Sequence, residues 1–125
     1  MEYPRIDTMN QLTYSFTGSL RAWVNSNAAV FQARNIKVDM PAVTLRSNLH
    51  IEFTSDRFEA DFYVWEKGHW HKAMSEIEFV DWRIADRDPE YQVESVHYEY
   101  ATISEMLDTL GILKNRLRSV QSESA

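Results

Sequence analysis

The sequence predicts an α+β fold in which an N-terminal helix, a four- to five-stranded antiparallel meander and a C-terminal helix follow one another. Apolar residues recur with a period of about 3.6 near both ends of the chain, which is typical of amphipathic helices. Between these regions the period falls to about two, which is typical of strands. Two amphipathic helices need an apolar surface, so we expect both to pack on one sheet face and to leave the other face open.

Size and composition indicate a single domain over residues 1–125, with a frayed tail at residues 119–125. The chain has 125 residues, of which 44% are hydrophobic, enough for one core. It contains no cysteine, so disulfides and thiolate metal sites are excluded. The N-terminal residues do not form a basic and then apolar leader, and no apolar run reaches the roughly 18 residues of a membrane span. We therefore expect a cytoplasmic protein.

The first helix is predicted from a cap at Asp7 or Asn10 to a stop at Asn35. Asp and Asn side chains accept hydrogen bonds from free helix amides, and asparagine tolerates the positive φ of a helix end. Gly18 weakens the middle of this helix without interrupting its pattern. Its apolar stripe is Met9, Leu12, Phe16, Leu20, Trp23, Val24 and Phe31.

The alternating region predicts five strands, over residues 36–40, 49–53, 58–65, 70–84 and 91–100. Pro41 ends the first of them, which is typical of an edge strand. In the fourth, Ile77 and Phe79 point one way, whereas Val80 and Trp82 point the other way. We therefore expect either a β-bulge near residues 79–80 or a strand covered on both faces.

Turn and cap signals define the connections. Ser55-Asp56 and the stretch Glu66-Lys67-Gly68 predict two tight turns, the second with glycine at a positive φ. Thr102 and Glu105 have the spacing of a capping box, in which each side chain bonds to the backbone amide of the other residue. The helical stripe that follows is Ile103, Met106, Leu107, Leu110, Leu113, Leu117 and Val120.

The periodic positions predict one hydrophobic core shared by the helices and the sheet. Tyr63 and Trp65 alternate with the core positions of their strand, so we expect them on the open face. The predicted core residues are Phe16, Leu20, Trp23, Ile51, Phe53, Phe58, Phe62, Ile77, Phe79, Leu107, Leu110 and Leu113.

Negative charge is concentrated in the second half of the sheet region. The net charge is −6 at pH 7, and between Glu76 and Glu94 the acids outnumber the bases Arg83 and Arg87. Such a patch disfavours direct nucleic-acid binding and attracts a basic protein partner, although it is also typical of a merely solubilising surface. The predicted partner-binding residues are Tyr63, Trp65, Glu76, Glu78, Asp81, Trp82, Asp86, Asp88, Glu90 and Glu94.

Histidines with the spacing of a metal pair occur in three places. His69 and His71 flank Trp70, and the His-x-Glu pattern occurs at residues 50–52 and 97–99. Residues two apart in a strand share a face, so each pair could place two ligands together. The sequence marks no third ligand for any of them. We therefore expect no tight divalent metal site.

The residues of common catalytic sites are also missing. There is no cysteine nucleophile and no Gly-x-Ser-x-Gly motif. Gly18, Gly68 and Gly111 are isolated, so no glycine-rich loop can cradle a phosphate. The many carboxylates leave a glycosidase-like pair open as an alternative. The sequence predicts a protein that is not an enzyme and has no cofactor.

Several segments resemble a family of bacterial immunity proteins. They are the strand and turn Tyr63–Trp70, the acidic strand Glu76–Asp81, the segment Val96–Tyr100, and the capped helix start Thr102–Leu107. In this combination they are similar to the TriTu-type immunity proteins of contact-dependent inhibition and other polymorphic toxin systems. The likeness extends over residues 35–117 and is weaker at residues 91–95.

The resemblance implies a non-catalytic protein that binds a cognate toxin domain and covers its active site or its access to substrate. Many such toxins are nucleases with basic surfaces, which an acidic surface complements. The resemblance assigns no individual contact residues.

Two other functions stay open on the sequence alone. One is a secretion-associated chaperone or adaptor that binds a protein partner without inhibiting it. The other is a small-molecule binder or enzyme with a polar pocket between the helices and the sheet.

Overall fold

The computed structural model describes residues 4–40, 49–66 and 73–122, and the side chains of the first helix from Gly18 onward. A short helix that the sequence did not predict lies between the last two strands. The elements are α1 (Pro4–Ala33), β1 (Lys37–Asp39), β2 (Leu49–Thr54), β3 (Phe58–Glu66), β4 (Ala73–Asp81), α2 (Trp82–Ala85), β5 (Glu94–Tyr100) and α3 (Ile103–Ser122).

The five strands form one antiparallel sheet in the order β1-β2-β3-β4-β5. Each strand is hydrogen-bonded to its neighbour in sequence, which is the predicted meander. The buried side chains of the sheet and the buried stripe of α3 belong to a single cluster, to which α1 also contributes. The predicted α+β fold, with both helices on one sheet face, is therefore confirmed.

The helix α1 begins at Pro4, so the predicted cap at Asp7 or Asn10 is wrong. Proline suits the first turn of a helix because its φ is already helical and the amide that it lacks would have no partner there. The cap signals at Asp7 and Asn10 were overridden by a helix that starts earlier. Among the described residues, no helix combines the length and the apolar character that crossing a bilayer requires.

The predicted stop of α1 at Asn35 is confirmed. Asn35 has a φ of 60°, and its backbone N–H donates to the carbonyl of Gln32 at 3.0 Å. The N–H of Ile36 donates to the carbonyl of Phe31 at 3.0 Å. This pair of bonds is a Schellman motif, and the side chains of Ile36 and Phe31 are both buried in the core. The motif turns the chain from α1 directly into the edge strand β1.

The core lies between the sheet and the two helices. It agrees with the prediction at most positions, although Trp23 and Leu107 are only partly buried and Phe16 lies outside the described side chains. Aromatic rings fill its centre: the ring centroids of Phe31 and Phe53 are 5.3 Å apart. The buried apolar residues that the prediction left out are Phe31, Ile36, Ala60, Val64, Ala73, Tyr100, Met106 and Leu117.

The strand β4 ends at Asp81, so the predicted strand over residues 70–84 is wrong at its C-terminal end. Residues Trp82–Ala85 form α2 instead, and the Asp81 carboxylate caps it by accepting a hydrogen bond from the N–H of Arg83 at 3.1 Å. Burial alternates without interruption from Ala73 to Asp81. The change of parity that suggested a β-bulge is therefore the start of a helical turn.

The last strand begins at Glu94 rather than at Tyr91. Tyr91 belongs to the preceding loop, and its phenol oxygen accepts a hydrogen bond from the backbone N–H of Asp81 at 2.9 Å. This contact fixes the loop to the end of β4. The turn predicted at Glu66–Gly68 falls mostly in residues 67–72, which lie outside the described part of the chain.

The capping box of α3 is confirmed. The N–H of Glu105 donates to Thr102 Oγ1 at 3.2 Å, and the N–H of Thr102 donates to Glu105 Oε1 at 2.9 Å. At its other end α3 continues to Ser122. Val120 packs against the core there, and Arg34 Nη1 donates to Ser122 Oγ at 2.6 Å.

The core assignment predicts different costs for two substitutions in the same helix. Leu110 is 0% exposed and Ile112 is 67% exposed. Replacing Leu110 with Ala should reduce the free energy of unfolding by about 3 kcal/mol, because it leaves a cavity. Replacing Ile112 with Ala should change it by less than about 0.5 kcal/mol. Denaturant unfolding of both variants checks this, and equal costs would show that the face assignment of α3 is wrong.

Candidate functional site

The side of the sheet opposite the helices, here called the open face, carries most of the polar chemistry of the protein. Its residues follow from the register, because directly paired residues in adjacent strands point to the same side. Asp61, for example, pairs with Glu52 on one side and with Glu78 on the other. The open face consists of Lys37, Asp39, His50, Glu52, Thr54, Glu59, Asp61, Tyr63, Trp65, Met74, Glu76, Glu78, Val80, Ser95, His97 and Glu99.

Carboxylates dominate this face, and every strand contributes at least one. Lys37 lies at the β1 edge and forms an ion pair with Asp39, with 3.4 Å between Nζ and Oδ2. The centre of the face has acids on adjacent strands and no lysine or arginine among its register positions. The acids are Asp39, Glu52, Glu59, Asp61, Glu76, Glu78 and Glu99.

Burial and the crowding of carboxylates together raise the pKa of Glu59. Partial burial raises the pKa of its carboxyl group, and the nearby charge of Asp61, together with a hydrogen bond between the two side chains, raises it further. Glu52 and Glu78 add smaller contributions in the same direction. Like charges on neighbouring strands destabilise a sheet. The open face is therefore a region of negative potential that the fold maintains at a cost.

A histidine–aspartate pair lies in the middle of the open face. His50 Nε2 is 2.9 Å from Asp61 Oδ1, and both residues are buried. The imidazole stacks on the ring of Tyr63, with centroids 4.3 Å apart and planes 15° apart. The second ring nitrogen, Nδ1, is buried and has no hydrogen-bond partner. Glu52 lies beside this pair, and the potential ligand atoms of His50, Glu52 and Asp61 are all within 4.8 Å of one another.

The structure brings four of the predicted partner-binding residues together on the open face: Tyr63, Trp65, Glu76 and Glu78. Both aromatic side chains are half-buried, so each could still contribute area to an interface. The carboxylate of Glu76 accepts a hydrogen bond from Ser95 Oγ at 2.9 Å. These four residues share a surface with the carboxylates described above.

Two predicted residues lie on the helix side instead. Asp81 is buried and caps α2. Glu94 forms a two-pronged ion pair with the guanidinium of Arg116 on α3, and this pairing lowers the pKa of the Glu94 carboxyl group. The Arg116 guanidinium also lies 4.1 Å from the centre of the Phe79 ring. Both carboxylates therefore have partners within the fold.

The remaining predicted residues follow the end of β4. Trp82 begins α2 and is partly exposed, and Asp86, Asp88 and Glu90 lie in the exposed loop after it. The carboxylate of Asp88 accepts a hydrogen bond from the N–H of Glu90 at 2.9 Å, which shapes that loop. The predicted set thus divides among the open face, the helix side and this loop.

Sequence reasoning did not include His50, Glu52, Glu59 and Asp61 in the site, although alternation already placed Glu59 and Asp61 opposite the core residues of β3. The missing information was the register, which determines which residues of β2 and β4 flank them. His69 and His71 lie outside the described residues.

A second surface runs along the edge strand β5. Among the described strands, β5 pairs with β4 alone and forms an edge of the sheet. On its helix side, Val96, Tyr98 and the α3 residue Ile112 are partly exposed and line a shallow apolar groove. An edge strand beside an apolar groove can accept an extended peptide.

The described surface also has depressions away from the open face. The one between α1 and β1 has a volume of about 630 Å³ and includes Gln32, Asn35 and Val38 in its lining. Lys37 is the only ionisable side chain among its described lining residues. A paired acid and base is therefore absent from this part of the surface.

Comparisons of the chain with family models, with curated proteins and with solved structures find no match. The resemblance to immunity proteins consequently rests on the sequence segments named above. Function has to be inferred from the surfaces themselves.

The raised pKa of Glu59 predicts how the stability of the protein depends on pH. The folded state raises the pKa of Glu59, so ionising this residue favours unfolding. The stability that the protonated side chain contributes is fully present below the ordinary pKa of 4.5, and it is lost as the pH rises through the pKa of the folded state. Glu59→Gln should therefore stabilise the protein at pH 7, by about 0.2–1 kcal/mol, and the gain should disappear near pH 4. Denaturant unfolding at both pH values measures it.

The control for this experiment is Glu90→Gln, which removes the same charge from the exposed loop. It should give no comparable gain at pH 7. An equal gain in both variants would mean that net charge, rather than crowding on the open face, sets the effect.

Proposed function

We propose that this protein is an immunity protein that binds a cognate bacterial toxin domain and neutralises it by covering its active site or its access to substrate. The observation that carries the proposal is the open face, where carboxylates from all five strands surround half-buried aromatic rings. The toxin that fits this face has a basic surface, as a nuclease does.

Charge complementarity supports this partner class. A nuclease binds a polyanion through lysine and arginine side chains. A surface with a dense array of carboxylates can compete for the same cations, and its long-range field accelerates the encounter. The open face provides such an array on a rigid sheet, so little ordering of the backbone is required on binding.

The aromatic residues supply binding energy from buried contacts, which charged groups alone do not provide. Tyrosine and tryptophan are enriched among the residues that dominate binding energy, where they are surrounded by polar groups that exclude water. Tyr63 is held in place by its stack on His50. Trp65 lies on the same strand face, opposite Met74 of β4. We propose both as anchors at the centre of the contact.

The protein acts by occupying its target, without chemistry of its own. The family resemblance of residues 35–117 implies a non-catalytic role, and the described pocket next to Lys37 lacks an acid–base pair. Cytoplasmic localisation follows from this role, because an immunity protein must meet the toxin inside the cell that it protects.

The groove beside β5 favours one alternative function, a secretion-associated chaperone or adaptor. Such a protein holds an extended segment of its cargo, and an edge strand flanked by Val96, Tyr98 and Ile112 could pair with one. The two functions use different surfaces and have different consequences for the partner. An immunity protein abolishes the partner's toxicity, whereas a chaperone leaves it intact.

Co-expression separates the two functions. The partner to use is the C-terminal domain of the protein encoded immediately upstream. If that domain alone arrests growth, co-expression of this protein should restore growth. Persistent arrest despite a stable complex would favour the adaptor, and the absence of a growth-arresting domain upstream would contradict the immunity proposal.

Reversing the charge of selected carboxylates tests which surface contacts the toxin. Glu78→Lys combined with Glu99→Lys changes the open face, whereas Asp86→Lys combined with Asp88→Lys makes the same change of net charge in the loop after α2. The open-face pair should slow association with the toxin roughly tenfold at low salt, and the effect should largely vanish near 1 M salt, where the screening length is about 3 Å. The loop pair should have a much smaller effect.

Association rates measured by stopped flow or surface plasmon resonance decide between these outcomes. Each variant must first keep the thermal midpoint of the wild-type protein. Equal slowing by both pairs would indicate that only the net charge matters, and slowing by the loop pair alone would place the contact outside the open face.

A further inference from the structure

We propose that His50, Glu52 and Asp61 form a binding site for a divalent first-row transition-metal ion, of which Zn²⁺ is the best probe. The site lies on the open face, but the inference does not depend on the proposed immunity function. It rests on the ligand geometry of two adjacent strands and on the burial and orientation of the imidazole.

The register of β2 and β3 assembles the three residues. His50 and Glu52 are two apart in β2 and therefore share a face. Asp61 of β3 lies directly opposite Glu52. One ligand atom from each residue lies within 4.8 Å of the other two, and the His50–Asp61 distance is already 2.9 Å. A small inward movement of the Glu52 side chain is enough to close three ligands around one ion.

The ligand types select the class of ion. Imidazole nitrogen together with carboxylate oxygen suits zinc and neighbouring transition metals. Calcium and magnesium prefer sites made of oxygen alone, so the histidine argues against them. Three protein ligands leave at least one coordination position open for water or for a group of a bound partner.

The burial and orientation of His50 favour ion binding. The residue is 7% exposed, and its Nε2 atom faces the Asp61 carboxylate at 2.9 Å. The stack on Tyr63 holds the ring in place, so the ring does not need to be ordered when an ion replaces the hydrogen bond between Nε2 and Asp61.

The strand pair β4–β5 contains a similar group of residues, which serves as a control for the proposed metal site. His97 and Glu99 repeat the His-x-Glu spacing, and Glu76 lies directly opposite His97. The His97 side chain is 59% exposed, and its Nε2 atom is 3.7 Å from the Glu76 carboxylate. In this group the histidine is far more exposed than His50 and lies farther from the opposite carboxylate, so it should bind metal much more weakly.

The test is a titration of the dialysed, full-length protein with Zn²⁺ by isothermal titration calorimetry, with thermal unfolding as a second readout. We expect one ion per chain at micromolar affinity or tighter, and a rise in the thermal midpoint, because binding to the folded state stabilises it. Glu52→Gln and Asp61→Asn should each weaken binding at least about tenfold. His97→Ala should leave affinity and stoichiometry unchanged.

A variant that fails to fold would also lose metal binding, so the test needs variants that keep the fold. His50→Ala removes a buried ring and could unfold the protein, so the half-exposed Glu52 provides the principal test. Circular dichroism and the metal-free midpoint of each variant must match the wild-type protein. The proposal is overturned if no stoichiometric binding occurs, if Glu52→Gln and Asp61→Asn bind Zn²⁺ normally, or if binding is lost only when His69 and His71 are both replaced with Ala.

Discussion

The packing of α1 and α3 on the same face of the sheet is the constraint on which the other features depend. The buried apolar side chains of β2, β3 and β4 turn toward the helices and form one core with them. Because side chains alternate along a strand, every residue between two core positions is sent to the opposite side. That side has no covering layer among the described elements, so it can carry charge. The acidic open face is thus the direct counterpart of the one-sided core.

The neighbouring carboxylates of the open face reduce the stability of the fold. Partial burial raises the pKa of the Glu59 carboxyl group, and the neighbouring charge of Asp61 raises it further. By contrast, Glu94 on the helix side is paired with Arg116 and its pKa is lowered. The two predicted carboxylates on the helix side each have a partner: Glu94 pairs with the Arg116 guanidinium, and Asp81 caps α2. On the open face, carboxylates outnumber the lysine and arginine side chains, and a surface of this kind suits a bound ion or a basic partner.

Much of the fold could be predicted because it depends on local patterns. The change of period located the helices and the sheet, and Asn35 and the Thr102–Glu105 box marked helix ends through local backbone chemistry. The prediction failed at Trp82–Ala85, because a single helical turn is too short to show a period of its own. The candidate site was only partly predictable. Grouping Glu52 with Asp61 requires the strand register, and the paired role of Glu94 requires knowing that Arg116 reaches it from α3.

The central claim is that the open face, and not the loop after α2 or the β5 groove, meets the partner. Carbodiimide labelling of carboxylates, read by mass spectrometry with and without the bound toxin domain, tests it most directly. The account predicts that labelling of Glu52, Glu78 and Glu99 falls on binding, while labelling of Asp86 and Asp88 does not change. Protection of Asp86 and Asp88 with continued labelling of the open-face carboxylates would contradict it.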